Sequence, residues 1–166
     1  MSAAARLLVI ATLCTSACTE SEYYAEDPDG EFRFALLDEV VGHEGDGQRA
    51  LWRIADRPVT VTMQRVPKRD TMVRERTLRA VVEAIGTRYS EHEVEGSMSR
   101  SACTVAGRDA YCLNAFVTNA DGERFLRRGF LVELDHSFVL IEAVGTRRSD
   151  VLAQAELARR SLELRR

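Results

Sequence analysis

Ala102-Cys103-Thr104-Val105-Ala106-Gly107-Arg108-Asp109-Ala110-Tyr111-Cys112-Leu113 is the stretch whose reading decides the fold. A glycine turn sits between two runs of β-forming residues, each carrying a cysteine, which is the pattern of a β-hairpin. Taking Gly107-Arg108 as a two-residue loop sets Cys103 directly opposite Cys112, at a non-hydrogen-bonded position where the two Cα atoms come closest. The chain then continues as a meander, with strands at about Val94 to Ala106, Asp109 to Thr118, Glu123 to Leu134 and Ser137 to Gly145. With Asp135-His136 as a second two-residue loop and Asn119-Ala120-Asp121-Gly122 as a four-residue turn, one sheet face collects Tyr111, Leu113, Ala115, Leu126, Phe130, Val132, Val139 and Ile141. The same registers put Gly129 beside Cys112 and Arg127 diagonal to Glu142, an ion pair expected to contribute roughly 0.2 to 1 kcal/mol.

Upstream, Phe32, Phe34 and Leu36 alternate with Arg33 and Ala35, as do Val59, Val61 and Met63 with Thr60, Thr62 and Gln64. Between them Ala50 to Ala55 reads as a strand, preceded by the polar loop Gly42-His43-Glu44-Gly45-Asp46-Gly47. Trp52 alternates out of phase with Leu51 and Arg53 and is expected in the core, because tryptophan usually buries most of its area. Asp70 is placed to cap a helix to about Tyr89, with Leu78, Val81, Val82 and Ile85 on one stripe. Ser149 is placed to cap a second helix running to the C-terminus, with Val151, Leu152, Ala155, Ala158 and Leu162 aligned. The fold expected is α+β, an antiparallel sheet of about six strands with two covering helices.

The stretches Val59 to Val66, the helix ending near Tyr89, Val105-Ala106-Gly107-Arg108-Asp109-Ala110-Tyr111, and Phe130-Leu131-Val132 to Ile141 together resemble the PsbP-like family. The likeness is one of element order over nearly all of the chain. It implies an α/β/α sandwich and an accessory or binding role, and it carries no family site residue onto this sequence.

Met1 to Arg6 holds one positive charge, and Leu7 to Leu13 is apolar but too short to span a bilayer. The run Thr15-Ser16-Ala17-Cys18 resembles a bacterial lipobox, with Thr15 standing where Leu is usual, which implies a diacylglyceryl group on Cys18. A secretory signal cut after Ala17 and an uncleaved N-terminus are the alternatives. Thr19 in place of Asp points to the outer membrane over the inner. The domain scheme is then a lipoprotein signal peptide at 1–17, an acidic tether at 18–30 reaching up to about 35 Å, and a single domain at 31–166. A calcium reading of the tether carboxylates lacks a full ligand loop.

About 150 residues remain after such a signal, enough for one domain with a real core. Of the 166 residues, 45% are hydrophobic and 30% charged, which excludes a disordered chain. The net charge of −3 argues against nucleic acid as a partner. If Cys18 is acylated and Cys14 removed, Cys103 and Cys112 are an even pair in an oxidising compartment, the setting of a disulfide.

The chain lacks G-x-S-x-G, H-E-x-x-H, P-loop and dinucleotide-binding patterns. His92-Glu93 begins a zinc motif that Val94-Glu95-Gly96 does not complete. His136 sits in a hairpin turn, and Arg127 with Arg128 offers a contact for an anionic partner. No catalytic residue, metal ligand or cofactor site is assigned. The function expected is a lipid-anchored, non-catalytic binding or assembly module with an envelope protein partner. Two alternatives stand beside it: a periplasmic hydrolase using His43, Glu44, Asp46 and His92, and a small-ligand carrier with an apolar cavity between sheet and helix.

Overall fold

The computed structural model describes residues 23–68, 77–91, 98–118 and 121–165. Strands β1 (Tyr23–Glu26), β2 (Phe32–Leu36), β3 (Val40–Gly45), β4 (Arg49–Ile54) and β5 (Val59–Pro67) precede helix α1 (Leu78–Glu91). Strands β6 (Ser99–Val105), β7 (Arg108–Thr118), β8 (Arg124–Glu133) and β9 (Ser137–Gly145) lead to helix α2 (Arg148–Ser161) and the short β10 (Glu163–Leu164). They form a seven-stranded antiparallel sheet in the order β3-β4-β5-β9-β8-β7-β6 and a three-stranded sheet β1-β2-β10.

Two expectations are corrected here. The main sheet has seven strands, not about six, and a second small sheet lies beside α2, so the molecule is not an α/β/α sandwich. Both arise where the sequence lacks a strand signal. β3 occupies most of the expected polar loop, where His43, Glu44 and two glycines give no alternation, yet it pairs with β4 through His43↔Trp52 and Glu44↔Leu51. β1 and β10 are short and polar, and they add to β2 by main-chain bonds.

Residues 23–29, read as solvated tether, belong instead to the fold. Ala25 is buried against the core, and the carboxylate of Asp27 accepts from Arg65 Nη2 at 2.8 Å and from the Glu31 amide at 3.0 Å. Arg65 also bonds Glu31 at 2.5 Å and lies 3.7 Å from Asp29. Of the carboxylates weighed for calcium, Asp27 and Asp29 are thus engaged by a half-buried guanidinium and Glu26 by Arg165, while Glu20 and Glu22 lie outside the described residues. Residues 1–22, with Cys18 and the signal segment, lie outside the described residues.

The core is built on both faces of the main sheet. On one, Trp52, Val61, Phe130 and Ile141 meet Phe32 and Phe34 of β2 and Val151, Ala155 and Ala158 of α2. Gln154 pins α2 to the end of β2 by accepting from the Leu37 amide (2.8 Å) and donating to the Ala35 carbonyl (3.1 Å). On the other, Leu113, Leu131, Phe138 and Leu140 meet Val81 and Val82 of α1. This two-sided cover explains why β9 is an almost unbroken buried run.

Turn geometry corrects the expected register. The β6–β7 turn is Ala106-Gly107, both with positive φ (50° and 74°), and Val105 pairs with Arg108. That is the type I′ pattern, which favours glycine at its second position. Cys103 therefore faces Ala110, and Cys112 faces Ser101; the two cysteines are diagonal neighbours on one face, bridged at a Cα separation of 5.9 Å. The β7–β8 connection is one residue longer than expected, because Thr118 pairs with Arg124. One residue flips every side chain. Tyr111, Leu113 and Ala115 consequently turn to the α1 side, opposite Leu126, Phe130 and Val132, and Cys112 pairs with Phe130, not Gly129. The Asp135-His136 loop is as expected, with the Leu134 amide donating to the Ser137 carbonyl at 2.8 Å.

The helix ends differ too. Thr77 accepts from the Ala80 amide at 3.2 Å and begins α1, while Asp70 lies outside the described residues. Arg147 is the N-cap of α2, which places Ser149 inside its first turn. There Asp150, suited to the positive helix end, lies 3.3 Å from both Arg57 and Arg147. The helix stops at Ser161, and the chain turns back to pair Glu163 with Arg33.

Candidate binding cleft

Helix α1 rests mainly on β7 and β8, and of the β3–β5 half of that sheet face only Val66 joins its apolar cluster among the described residues. Alternation along β4, β5 and β9 decides what stands there. Trp52, Val61, Met63 and Ile141 point to the α2 side, so Leu51, Thr62, Gln64 and Glu142 point to the α1 side. The result is a cavity of about 600 Å³ with Leu51, Thr62, Leu140 and Glu142 on its floor. Ile85 of α1 forms one wall, and Glu44 and Arg49 stand at the other. This volume lies within the range of small-molecule sites, about 300 to 1,000 Å³.

Glu142 is the unusual floor residue, its side chain only 3% exposed in the middle of the sheet. Arg127 reaches it at 2.7 Å along the diagonal expected from the registers. The residue directly opposite Glu142 is Gly129. A Cβ there would lie 1.9 Å from the Ile141 carbonyl oxygen, so the strands come together only around glycine, and no side chain separates Glu142 from Arg127. Because Glu142 is buried, breaking the pair is expected to cost more than the surface value, although desolvation offsets much of what forming it contributes. Removing one partner of a buried pair leaves an uncompensated charge, at a cost of about 3 to 5 kcal/mol.

The rim is charged. Glu44 is held by Arg53 at 2.6 Å. Asp46 accepts from the amides of Gln48 (2.8 Å) and Arg49 (2.9 Å), and these bonds, the Arg49 amide foremost, hold its carboxyl below the usual range. The positive charge of Arg49 itself adds to that lowering, so the two rim groups balance one another.

The residues proposed for a hydrolase do not converge. His43 and Glu44 are neighbours on β3 and point to opposite faces: His43 stacks on Trp52 with ring centroids 5.4 Å apart, and Glu44 lines the cleft. Asp46 shapes the β3–β4 turn, and His92 lies outside the described residues. Among the described residues no three His, Cys, Asp or Glu side chains stand close enough to hold a metal ion. His136 is exposed in its turn, and Arg127 and Arg128 point to opposite faces of β8. Trp52 is buried as expected, edge-on to Phe34 at 5.5 Å.

Sequence reading missed Arg49, Thr62, Gln64 and Ile85 as a group, since their meeting depends on where α1 lies. One signal was present: Glu142 interrupts the apolar run from Phe138 to Val144.

No family model matches the chain, and no curated protein matches its sequence. Solved structures do resemble it. Cyanobacterial PsbP (CyanoP) from Synechocystis sp. PCC 6803 is 13% identical with a TM-score of 0.57, covering 92% of this chain and 97% of its own. LpqN of Mycobacterium tuberculosis, described as involved in cell envelope biogenesis, is 14% identical with a TM-score of 0.54, covering 81% and 83%. A protein of Bacteroides thetaiotaomicron VPI-5482 is 10% identical with a TM-score of 0.59 over 87% of this chain, which spans about half (48%) of that longer one. At these identities the likeness establishes a PsbP-like fold.

Proposed function

We propose that this chain is a lipid-anchored envelope protein, acylated at Cys18 and held at the outer membrane, that acts as a non-catalytic binding or assembly module. The observation that carries the reading is the Cys103–Cys112 bridge, because such bonds persist in oxidising compartments outside the cytosol. The lipobox-like Thr15-Ser16-Ala17-Cys18 supplies the route there, and the likeness to an envelope-biogenesis protein agrees with the destination. Strand β1 changes the expected geometry. It begins at Tyr23, so the link from Cys18 spans at most about 18 Å, and the domain sits close to the bilayer.

The test is metabolic labelling with an alkyne fatty acid followed by membrane fractionation. Cys18→Ala is expected to lose the label and move to the soluble fraction, since several acyl chains together make a stable anchor. Undiminished labelling of the variant contradicts the assignment.

The cavity favours a second reading within the same compartment, a carrier of small ligands. Its volume and its mixture of apolar and charged lining residues are those of a ligand site.

A further inference from the structure

We propose that a second site, at the corner of the main sheet where β6, β7 and β8 extend past α2, binds a phosphoryl group, as free phosphate or as the monoester head of a larger molecule. The inference is independent of acylation at Cys18 and of the cleft beside α1. Strand register assembles the site. Ser99, Asn114 and Arg128 stand side by side on three neighbouring strands as directly paired residues, and Ser101, Cys112 and Phe130 form the next row on the same face. Glu156 and Arg159 of α2 complete the lining of a cavity of about 130 Å³. That is well below the roughly 300 to 1,000 Å³ of sites that enclose a whole small molecule, so it suits a head group.

Two observations point to an anion. The first is that Arg128 has no ion-pair or hydrogen-bond partner among the described residues, whereas its chain neighbour Arg127 is engaged by Glu142 on the opposite face. The second is the charge of the lining. Glu156 is the one carboxylate there, and two cations already grip it: Arg159 donates to it at 3.0 and 2.7 Å and Arg160 at 2.5 Å. With Arg128, three guanidiniums share the corner with one carboxylate. A dianion restores the balance.

The remaining groups favour phosphoryl over carboxylate. Ser101 and Asn114 add a hydroxyl and a side-chain amide that have no partner among the described residues. A planar carboxylate is filled by one guanidinium fork, whereas a tetrahedral phosphoryl group keeps further oxygens for such donors. Buried Phe130 and Ala155 line the base of the cavity, and apolar neighbours strengthen each charged contact above them.

The test uses the full chain with Cys18→Ser and three probes at equal ionic strength, inorganic phosphate, glycerol 1-phosphate and acetate, followed by amide chemical shifts in NMR titrations. Saturable shifts centred on Ser101, Asn114 and Arg128 are expected with at least one phosphate, binding at least tenfold more tightly than acetate. Tighter binding of glycerol 1-phosphate assigns a monoester head, and tighter binding of inorganic phosphate assigns the free ion. Arg128→Ala is expected to weaken phosphate at least fivefold and Arg128→Lys to recover part of the loss. Arg148→Ala, which removes the same charge from the exposed start of α2, is expected to stay within twofold of the parent. Acetate binding as tightly as phosphate overturns the phosphoryl assignment. Absence of saturable shifts with both phosphates overturns the site, as does an Arg128→Ala variant that loses no more affinity than Arg148→Ala.

Discussion

The two faces of the seven-stranded sheet are built for different ends. The α2 face is sealed by a helix and a small sheet, with Phe32, Phe34, Phe130 and Val61 at 0 to 1% exposure. On the α1 face Leu113, Leu131 and Phe138 are covered, but Leu51, Thr62, Gln64 and Arg127 remain half-buried along the cleft. Packing density decides stability, and incomplete cover leaves room for a ligand. Apart from the buried Glu142–Arg127 pair and the Arg128 corner that α2 leaves open, stability is therefore expected to reside on the α2 face and recognition on the open half of the α1 face.

Substitutions can break this comparison. Phe130→Ala, on the sealed face, is expected to destabilise by about 3 to 5 kcal/mol in denaturant unfolding, through a cavity that the surrounding strands cannot close. Thr62→Ala, on the open face, is expected to change stability by less than about 0.5 kcal/mol. Equal losses would mean that the cleft is core, and the contrast between the faces would fail.

The disulfide adds to the sealed face, where Cys103 and Cys112 pack against its core cluster. Replacing both by Ser is expected to cost about 2 to 3 kcal/mol, the chain-entropy value for a short loop. Alkylation without reduction, read by mass spectrometry, should find both thiols blocked in the native protein.

Much of this was legible in the sequence where period-2 alternation is strong. β2, β4 and β5 fall where Phe32, Trp52 and Val61 alternate with their neighbours, β7 to β9 fall where turn residues at Gly107, Gly122 and Asp135-His136 divide apolar runs, and the apolar stripe of α2 lies where expected. Cys103 and Cys112 were paired correctly although their register was off by two, because that slip keeps both on one face. The single extra residue between β7 and β8 does flip faces, and alternation cannot count turn residues. β1, β3 and β10 stayed hidden because main-chain pairing, not side-chain pattern, places them. The cleft was beyond reach for a related reason. It is defined by the half of the sheet that α1 leaves uncovered, a tertiary quantity.

The smallest expected effect is on pH dependence. Arg159 and then Arg160 hydrogen-bond Glu156 on α2 and lower its pKa from 4.5 to about 2. The Arg108 side chain likewise lowers Asp135 at the β8–β9 turn. A carboxyl depressed in the folded state contributes stability above its unfolded pKa and loses it as pH falls through the folded value. Unfolding midpoints should therefore decline between about pH 4.5 and 2, and Glu156→Gln should flatten part of that decline. A variant whose profile matched the parent would remove Glu156 from the account.

The most direct measurement sets a filled cleft against an emptied core: Thr62→Trp, which fills the floor of the cleft with a residue that strands accept well, and Phe130→Ala on the sealed face. Thermal unfolding of both would be followed beside the parent. The account predicts a Thr62→Trp midpoint within a few degrees of the parent and a far larger fall for Phe130→Ala. A collapse of the Thr62→Trp midpoint with Phe130→Ala tolerated would contradict it, placing stability on the open face.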